Sequence, residues 1–327
     1  MIASPADDST ALLYAPHGQP GAYFNPWGSP QRGFREALRW KLTSKREDRT
    51  APLDVPIVAN DGAYLGRADR PPSVTWVGHS TLAVQDGQSV WLTDPIFGQR
   101  ALVPRRHTPP GIPLAAVPAD AFVVLSHNHY DHLDRWTVDR LPRTVRWFVP
   151  LGLGAWFKRR GVEAIEFDWW DSHRHGEWTL TCLPAQHWSN RFGAARNATL
   201  WCSWLLDNGR RRYYFAVDSG YFHGYSEYGR RFAPIDVAMM PIGAYEPRWF
   251  MRPQHMNPAE ALRAFQELGA RLMVPIHWGT FDLTDERIDR APRDLAAAVR
   301  DAAVNGAAVR PMAIGERRML HHDASQS

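Results

Sequence analysis

The sequence predicts an α/β protein in which a mixed sheet, or two sheets, is covered by helices within one domain. Three observations carry this expectation. Apolar runs of strand length recur along most of the chain, the first few are joined by hairpin signals, and helical text separates several of the later ones. The 327 residues give ample length for a core, and 44% hydrophobic with 22% charged residues is ordinary for a globular protein. No internal repeat, low-complexity tract or linker divides the chain.

Residues 1–20 are expected to form a disordered tail, and 21–70 an arm packed on the core. The arm is rich in Pro, Gly, Asp and Arg, with one helix expected from Arg32 to Lys45. The main domain is expected over 71–320, followed by a tail over 321–327. It opens with strands at Ser73–Val77, Ser80–Val84 and Ser89–Thr93, and Asp86-Gly87 between the last two is a hairpin signal. Further strands are expected at Ala121–Leu125, Arg146–Val149, Glu163–Glu166, Trp178–Leu183, Trp201–Asp207, Arg212–Val217, Val237–Pro241 and Arg271–Ile276. The clearest helix begins at Asn257, a capping residue, with Pro258 at its first position and Glu260 closing a capping box. It runs to Leu268 and stops at Gly269. A last helix is expected from Pro292 to Val304.

Composition narrows the function. The net charge is only +4, and the basic clusters Arg105-Arg106, Lys158–Arg160 and Arg210–Arg212 form no extended stripe, so no nucleic-acid partner is expected. Two cysteines, Cys182 and Cys202, build no disulfide framework. Asp7 and Asp8 stand where a signal peptide would be basic and then apolar, and no apolar run approaches the roughly 20 residues that span a bilayer. The expectation is a cytoplasmic protein. The 15 tryptophans are expected to fill the core and line pockets, membrane-interface placement being their other use.

The most informative stretch follows the apolar run Ala121–Leu125. Ser126-His127-Asn128-His129-Tyr130-Asp131-His132-Leu133-Asp134 packs three imidazoles and two carboxylates together, and these are the ligand types of zinc and similar metals. Three later strands also end in such a residue: His187, Asp218 and His277. His127 and His129, two apart in extended chain, point the same way and can share a metal, with His187 as a third imidazole. Asp131, His132 and His277 then suit a second metal, and Asp218 has two oxygens with which to bridge both. Two ions about 3.5–4 Å apart would hold a hydroxide between them.

The H-x-H-x-D-H run with distant His, Asp and His resembles the metallo-β-lactamase-fold superfamily. The text Tyr23–Trp27, Thr93-Asp94-Pro95-Ile96-Phe97, Pro184-Ala185-Gln186-His187-Trp188, Gly243–Met251 and Gln254-His255 is similar to the branch that hydrolyses N-acylphosphatidylethanolamine as a phospholipase D. That resemblance implies a four-layer αββα sandwich with two zinc ions at one edge between the sheets. It implies the ligand set just named, with catalytic roles for Asp131 and His255, and substrate contacts at Gln254, His255, Tyr245 and Trp188. The implied reaction is hydrolysis of a phosphodiester lipid by a metal-bridging hydroxide, with peripheral membrane contact through Trp188, Arg191, Phe192, Trp249 or Phe250. One departure is Val217, where the family usually has glycine before the bridging aspartate. A lactonase or another ester or phosphoester hydrolase on the same fold is the near alternative, because such a site attacks carbonyl carbon as readily as phosphorus. A metal-binding scaffold without turnover is the alternative of another kind.

Overall fold

The computed structural model describes residues 8–28 and 32–320. A short hairpin, β1 (Gly18–Gln19) with β2 (Ala22–Tyr23), precedes two larger sheets. The first has seven strands: β3 (Ser73–Gly78), β4 (Thr81–Asp86), β5 (Ser89–Thr93), β6 (Phe122–Val124), β7 (Arg146–Pro150), β8 (Ala164–Phe167) and β15 (Arg317–Met319). The second has six: β9 (Ser172–His175), β10 (Trp178–Leu183), β11 (Ser203–Asp207), β12 (Arg212–Phe215), β13 (Ile235–Pro241) and β14 (Ala270–Ile276). Each sheet is mixed. Strands β5 to β8 run parallel to one another, as do β12 to β14, while the remaining pairs are antiparallel.

The side-chain period of two sorts each strand between two cores. In β6, Phe122 and Val124 face the second sheet, whereas Val123 faces helices on the outside. Because both faces are covered, such strands read as continuous apolar runs. Between the sheets, Trp91 of β5 meets Trp178 of β10 edge-on at 5.8 Å and Tyr213 of β12 at 5.5 Å. Trp76, Trp91, Trp147, Trp178, Trp201 and Trp204 are fully buried, so much of the tryptophan is core. Burial of each such large side chain contributes at least about 1.5–3 kcal/mol.

Helices Arg135–Val138 and Gly154–Lys158 cover the first sheet through Val138 and Phe157. Helices Gly224–Phe232, Pro258–Glu267 and Ala291–Asp301 cover the second through Tyr225, Tyr228, Ala261, Phe265 and Leu295. The result is the four-layer αββα sandwich. At Asn257 the capping box is complete: its side chain accepts from Glu260 N at 2.8 Å, and Glu260 accepts from Asn257 N at 3.1 Å.

The expected disordered tail over 1–20 is corrected from residue 8 onward. A helical turn at Asp8–Ala11 leads to Leu13, which is buried, and Leu13 O accepts from Trp170 Nε1 at 2.7 Å. Tyr14 stacks on Trp170 at 4.5 Å, and His17 bonds Asp168 at 2.7 Å. Leu13 and Tyr14 supply enough apolar contact to hold this segment down. Residues 1–7 and the tail 321–327, with His321 and His322, lie outside the described residues. The arm reaches the site region: Asn25 Nδ2 donates to His187 O at 3.1 Å, and helix Phe34–Thr43 carries Trp40. Among the described residues, no helix is long and apolar enough to cross a membrane.

Candidate metal centre

Strands β6, β10, β12 and β14 end at one edge of the sandwich, and each is followed there by polar side chains. The first sheet brings His127, His129, Asp131 and His132 after β6. The second brings His187 after β10, Asp218 after β12 and His277 after β14. Donor atoms of His127, His129 and His187 lie within 4.8 Å of one another, as do those of Asp131, His132 and His277. His127 Nε2 and His187 Nε2 approach His129 Nδ1 at 2.8 and 3.2 Å. His132 Nε2 lies 3.1 Å from Asp218 Oδ2, and His277 Nε2 lies 2.9 Å from Asp218 Oδ1, so Asp218 stands between the groups. All seven ligand positions expected from the sequence meet in one place.

Partners behind the cluster turn the inner nitrogens toward it. Asp94, at the end of β5, accepts from Ser126 N at 2.7 Å and Ser126 Oγ at 2.5 Å, and its Oδ2 lies 2.6 Å from His132 Nδ1. Ser126 Oγ donates its hydrogen bond to Asp94 and accepts from His127 Nδ1 at 2.8 Å. His187 Nδ1 donates to Gln254 O at 3.1 Å. The Nδ1 atoms of His127 and His187 therefore carry the proton, and Nε2 of each presents a lone pair inward. Arg191 closes the loop from outside, donating from Nη1 to Asn128 O and Leu133 O at 2.9 Å each while its guanidinium lies over Tyr130 at 4.2 Å.

The electrostatics suit a cation. Burial, the largest cause, holds His127 and His187 well below the usual imidazole range and His129 at about 4, so their lone pairs are free. Burial would raise Asp131 and Asp218, but the imidazoles around them, His132 and His277 foremost, hold both well below the usual carboxylate range. His277 rises to about 9: burial opposes its charge, and Asp218 and Asp131 override that opposition. Buried His129 Nε2 and His277 Nδ1 have no hydrogen-bond partner. Converging imidazole lone pairs beside ionised carboxylates in a buried cluster fit bound metal ions.

Backbone strain collects here too. His79, Asp94, Val217 and His277 all adopt positive φ, at 51°, 33°, 63° and 64°. Val217 thus keeps the left-handed geometry for which glycine would be better suited, at a cost of roughly 1–2 kcal/mol. His79 stands outside every motif read from the sequence, and Asp94 had no role assigned to it there. Both follow apolar strands, β3 and β5, just as the expected ligands do.

A cavity of about 720 Å³ opens onto the cluster, with His129, Asp131, Asp218 and His255 on its wall. Of the expected substrate contacts, Trp188, Gln254 and His255 line it. Trp188 packs edge-on to His129 at 4.6 Å, and His255 Nδ1 is unpartnered, 3.9 Å from Asp218 Oδ2. Burial holds His255 down at about 4. Tyr245 does not line the cavity, which corrects that expectation. Its side chain is 2% exposed, its hydroxyl donates to Asp294 at 2.7 Å, and its N–H donates to Glu286 at 3.0 Å. Ala244, at φ 60°, takes the cavity-facing side of the turn instead. Among the residues expected at a membrane, Phe192 is 97% exposed at the cavity mouth and Trp249 is exposed, while Trp188 and Phe250 are half-buried and Arg191 serves as the loop clamp.

A family profile described as "Beta-lactamase superfamily domain" matches residues 91–278. The chain belongs to that superfamily. An N-acyl-phosphatidylethanolamine-hydrolyzing phospholipase D 1 of Caenorhabditis elegans is 38% identical over 288 residues, spanning 82% of this chain and 80% of that protein. An uncharacterized protein of Mycobacterium tuberculosis is 40% identical over 290 residues, spanning 82% and 76%. The solved structure of Igni18, a metallo hydrolase of the archaeon Ignicoccus hospitalis, shares the fold with a TM-score of 0.60 and 21% identity, over 77% of this chain and 99% of that one. This superfamily member is a metal-dependent hydrolase with a His/Asp cluster suited to metal.

Proposed function

We propose that the chain is a dinuclear zinc phosphodiesterase of phospholipase D type acting on N-acyl phosphatidylethanolamine-like lipids. The observation that carries this reading is the apolar cavity set directly on the metal cluster. Leu102, Val103, Trp188, Phe192, Phe250 and Met251 line it, a surface suited to acyl chains beside a hydrolytic centre. The likeness to the nematode phospholipase D supports the same substrate class.

In this reading His127, His129 and His187 hold one ion, Asp131, His132 and His277 hold the other, and Asp218 serves both. Bound zinc would supply Lewis acidity toward water and phosphoryl oxygen. Water adds to phosphorus and the bond on the head-group side breaks, its oxygen taking a proton, to give phosphatidic acid and an N-acylethanolamine. His255 faces the cavity floor with an uncommitted nitrogen and donates to a phosphoryl oxygen as charge develops there. The backbone carbonyl of Gln254 orients His187, and Trp188 walls the site beside His129. Exposed Leu102, Val103 and Phe192 at the mouth serve peripheral docking on a lipid surface.

The test is a substrate panel on zinc-loaded protein: N-acyl phosphatidylethanolamine in mixed micelles, simple soluble phosphodiesters and soluble lactones, with Asp131→Asn as control. Turnover of the lipid, lost in the control, is the expected outcome. Lactone hydrolysis with the lipid untouched would overturn the substrate assignment while leaving the metal centre standing. Co-sedimentation with vesicles, weakened by Phe192→Ser, checks the docking surface.

A further inference from the structure

His79 is a buried imidazole that reaches the metal cluster and lies outside the H-x-H-x-D-H pattern. Strand β3 pairs regularly with β4 as far as Trp76, and the register then shifts between Trp76 and Gly78. A break of this kind re-aims the side chain that follows. Gly78 and His79 both take positive φ, 124° and 51°. Left-handed backbone disfavours a side chain, so glycine would serve the chain better at position 79. The imbalance directs attention to what the imidazole does there.

The ring is 1% exposed, with Nε2 3.1 Å from Asp131 Oδ2. The same oxygen lies 3.5 Å from His132 Nε2 and 3.6 Å from His277 Nε2. An ionised carboxylate only accepts, so the His79 nitrogen donates and fixes the plane in which Asp131 presents its oxygens. The main chain of His79 holds a second member of the group. Its carbonyl accepts from His277 N at 3.1 Å and from Trp76 Nε1 at 2.9 Å, and its own N–H donates to Thr280 Oγ1 at 2.8 Å. Phe281 packs edge-on against the ring at 5.2 Å. Position 79 thus grips Asp131 with its side chain and His277 with its backbone.

We propose that His79 is a positioning residue for the Asp131/His132/His277 subsite and sets that subsite's metal affinity separately from the His127/His129/His187 subsite. The inference rests on the two-metal reading. A hydrogen-bond partner that orients a ligand changes metal affinity by about 10–100-fold when lost. Because the grip is on one subsite, the loss is selective.

The test is titration of metal-free protein with Co²⁺, read by visible absorption and by competition with a chelator. Wild-type protein is expected to take up two equivalents. His79→Ala should keep one tight equivalent and bind the other about 10–100-fold more weakly. His79→Gln, which retains an N–H donor of similar reach, should recover most of the loss. Circular dichroism of the metal-free variants checks folding, and His79→Asn, whose amide falls short of Asp131, replaces the alanine variant if that one unfolds. Two equivalents at wild-type affinity in the variant, equal weakening of both, or a glutamine variant no better than alanine each overturn the proposal. Wild-type protein that binds fewer than two equivalents overturns the two-metal reading and this inference together, and so marks that failure apart from the others.

Discussion

At the scale of single residues, the site depends on side chains that would not themselves touch a metal. Asp94 is the plainest case. Its carboxylate accepts two hydrogen bonds from Ser126 and faces the Nδ1–H of His132, all in full burial. An amide would turn an N–H toward one of these donors. Asp94→Asn is therefore expected to weaken metal binding about 10–100-fold with the fold intact, measured by chelator competition. His255 is expected to behave in the opposite way. If it donates to the phosphoryl group, His255→Gln keeps wild-type metal content and lowers turnover by about 10²–10³. Loss of metal in that variant would make it a ligand, a role its placement near Asp218 and His277 also permits. What the sequence showed at this scale was uneven. The H-x-H-x-D-H run and the three later strand ends were legible because each carries a metal-type residue after an apolar run. His79 and Asp94 obey the same rule, but they sit in an opening meander with nothing else of that chemistry around them. Tyr245 reads as a site residue because its neighbours are, and only the turn at Ala244 decides that it faces Asp294.

At the scale of elements, packing explains residues that pattern alone leaves unexplained. Gly243 ends the segment after β13, where a Cβ would collide with the carbonyl oxygen of His277. Glycine is needed there because β13 and β14 must run close enough to set His277 in place. Gly243→Ala is expected to cost about 1–3 kcal/mol, seen as a lower denaturation midpoint, and to reduce metal content in the same preparation. The helix at Pro258–Glu267 was readable from its cap. The one at Gly224–Phe232 was not, since glycines and aromatics are poor helix formers. Its Gly229 is there because a side chain would strike the backbone of Glu267. Strand β9, Ser-His-Arg-His, has no apolar alternation to announce it, being an edge strand exposed along most of its length. Strand β15 is three residues long and declares itself only by pairing with β3.

At the scale of the molecule, both sheets contribute to one centre. Bound metal should therefore stabilise the whole sandwich. With free metal at about a hundred times Kd, linkage adds about 2.7 kcal/mol per site. Dialysis against a chelator is expected to lower the melting temperature by several degrees and zinc to restore it, as calorimetry would show. No change in melting would mean that the ions contribute nothing to holding the fold. The layer order follows from parallel strands that need helical crossovers, which is why the α/β class was legible from periodicity while the exact partition into two sheets was not.

The chain passes from one sheet to the other between β8 and β9, and this crossing divides the donors. His127, His129, Asp131 and His132 lie before it; His187, Asp218 and His277 lie after it. On the proposed two-metal reading, neither portion carries all the ligands of either ion. Metal capture during folding would then wait until the two portions have met, after the slow, long-range step of assembly. Release should come first on the way out: a slight parting of the layers opens the clasp while every strand is still hydrogen-bonded. An ion's occupancy would thus report on the seam between the layers, which measures of secondary structure do not follow.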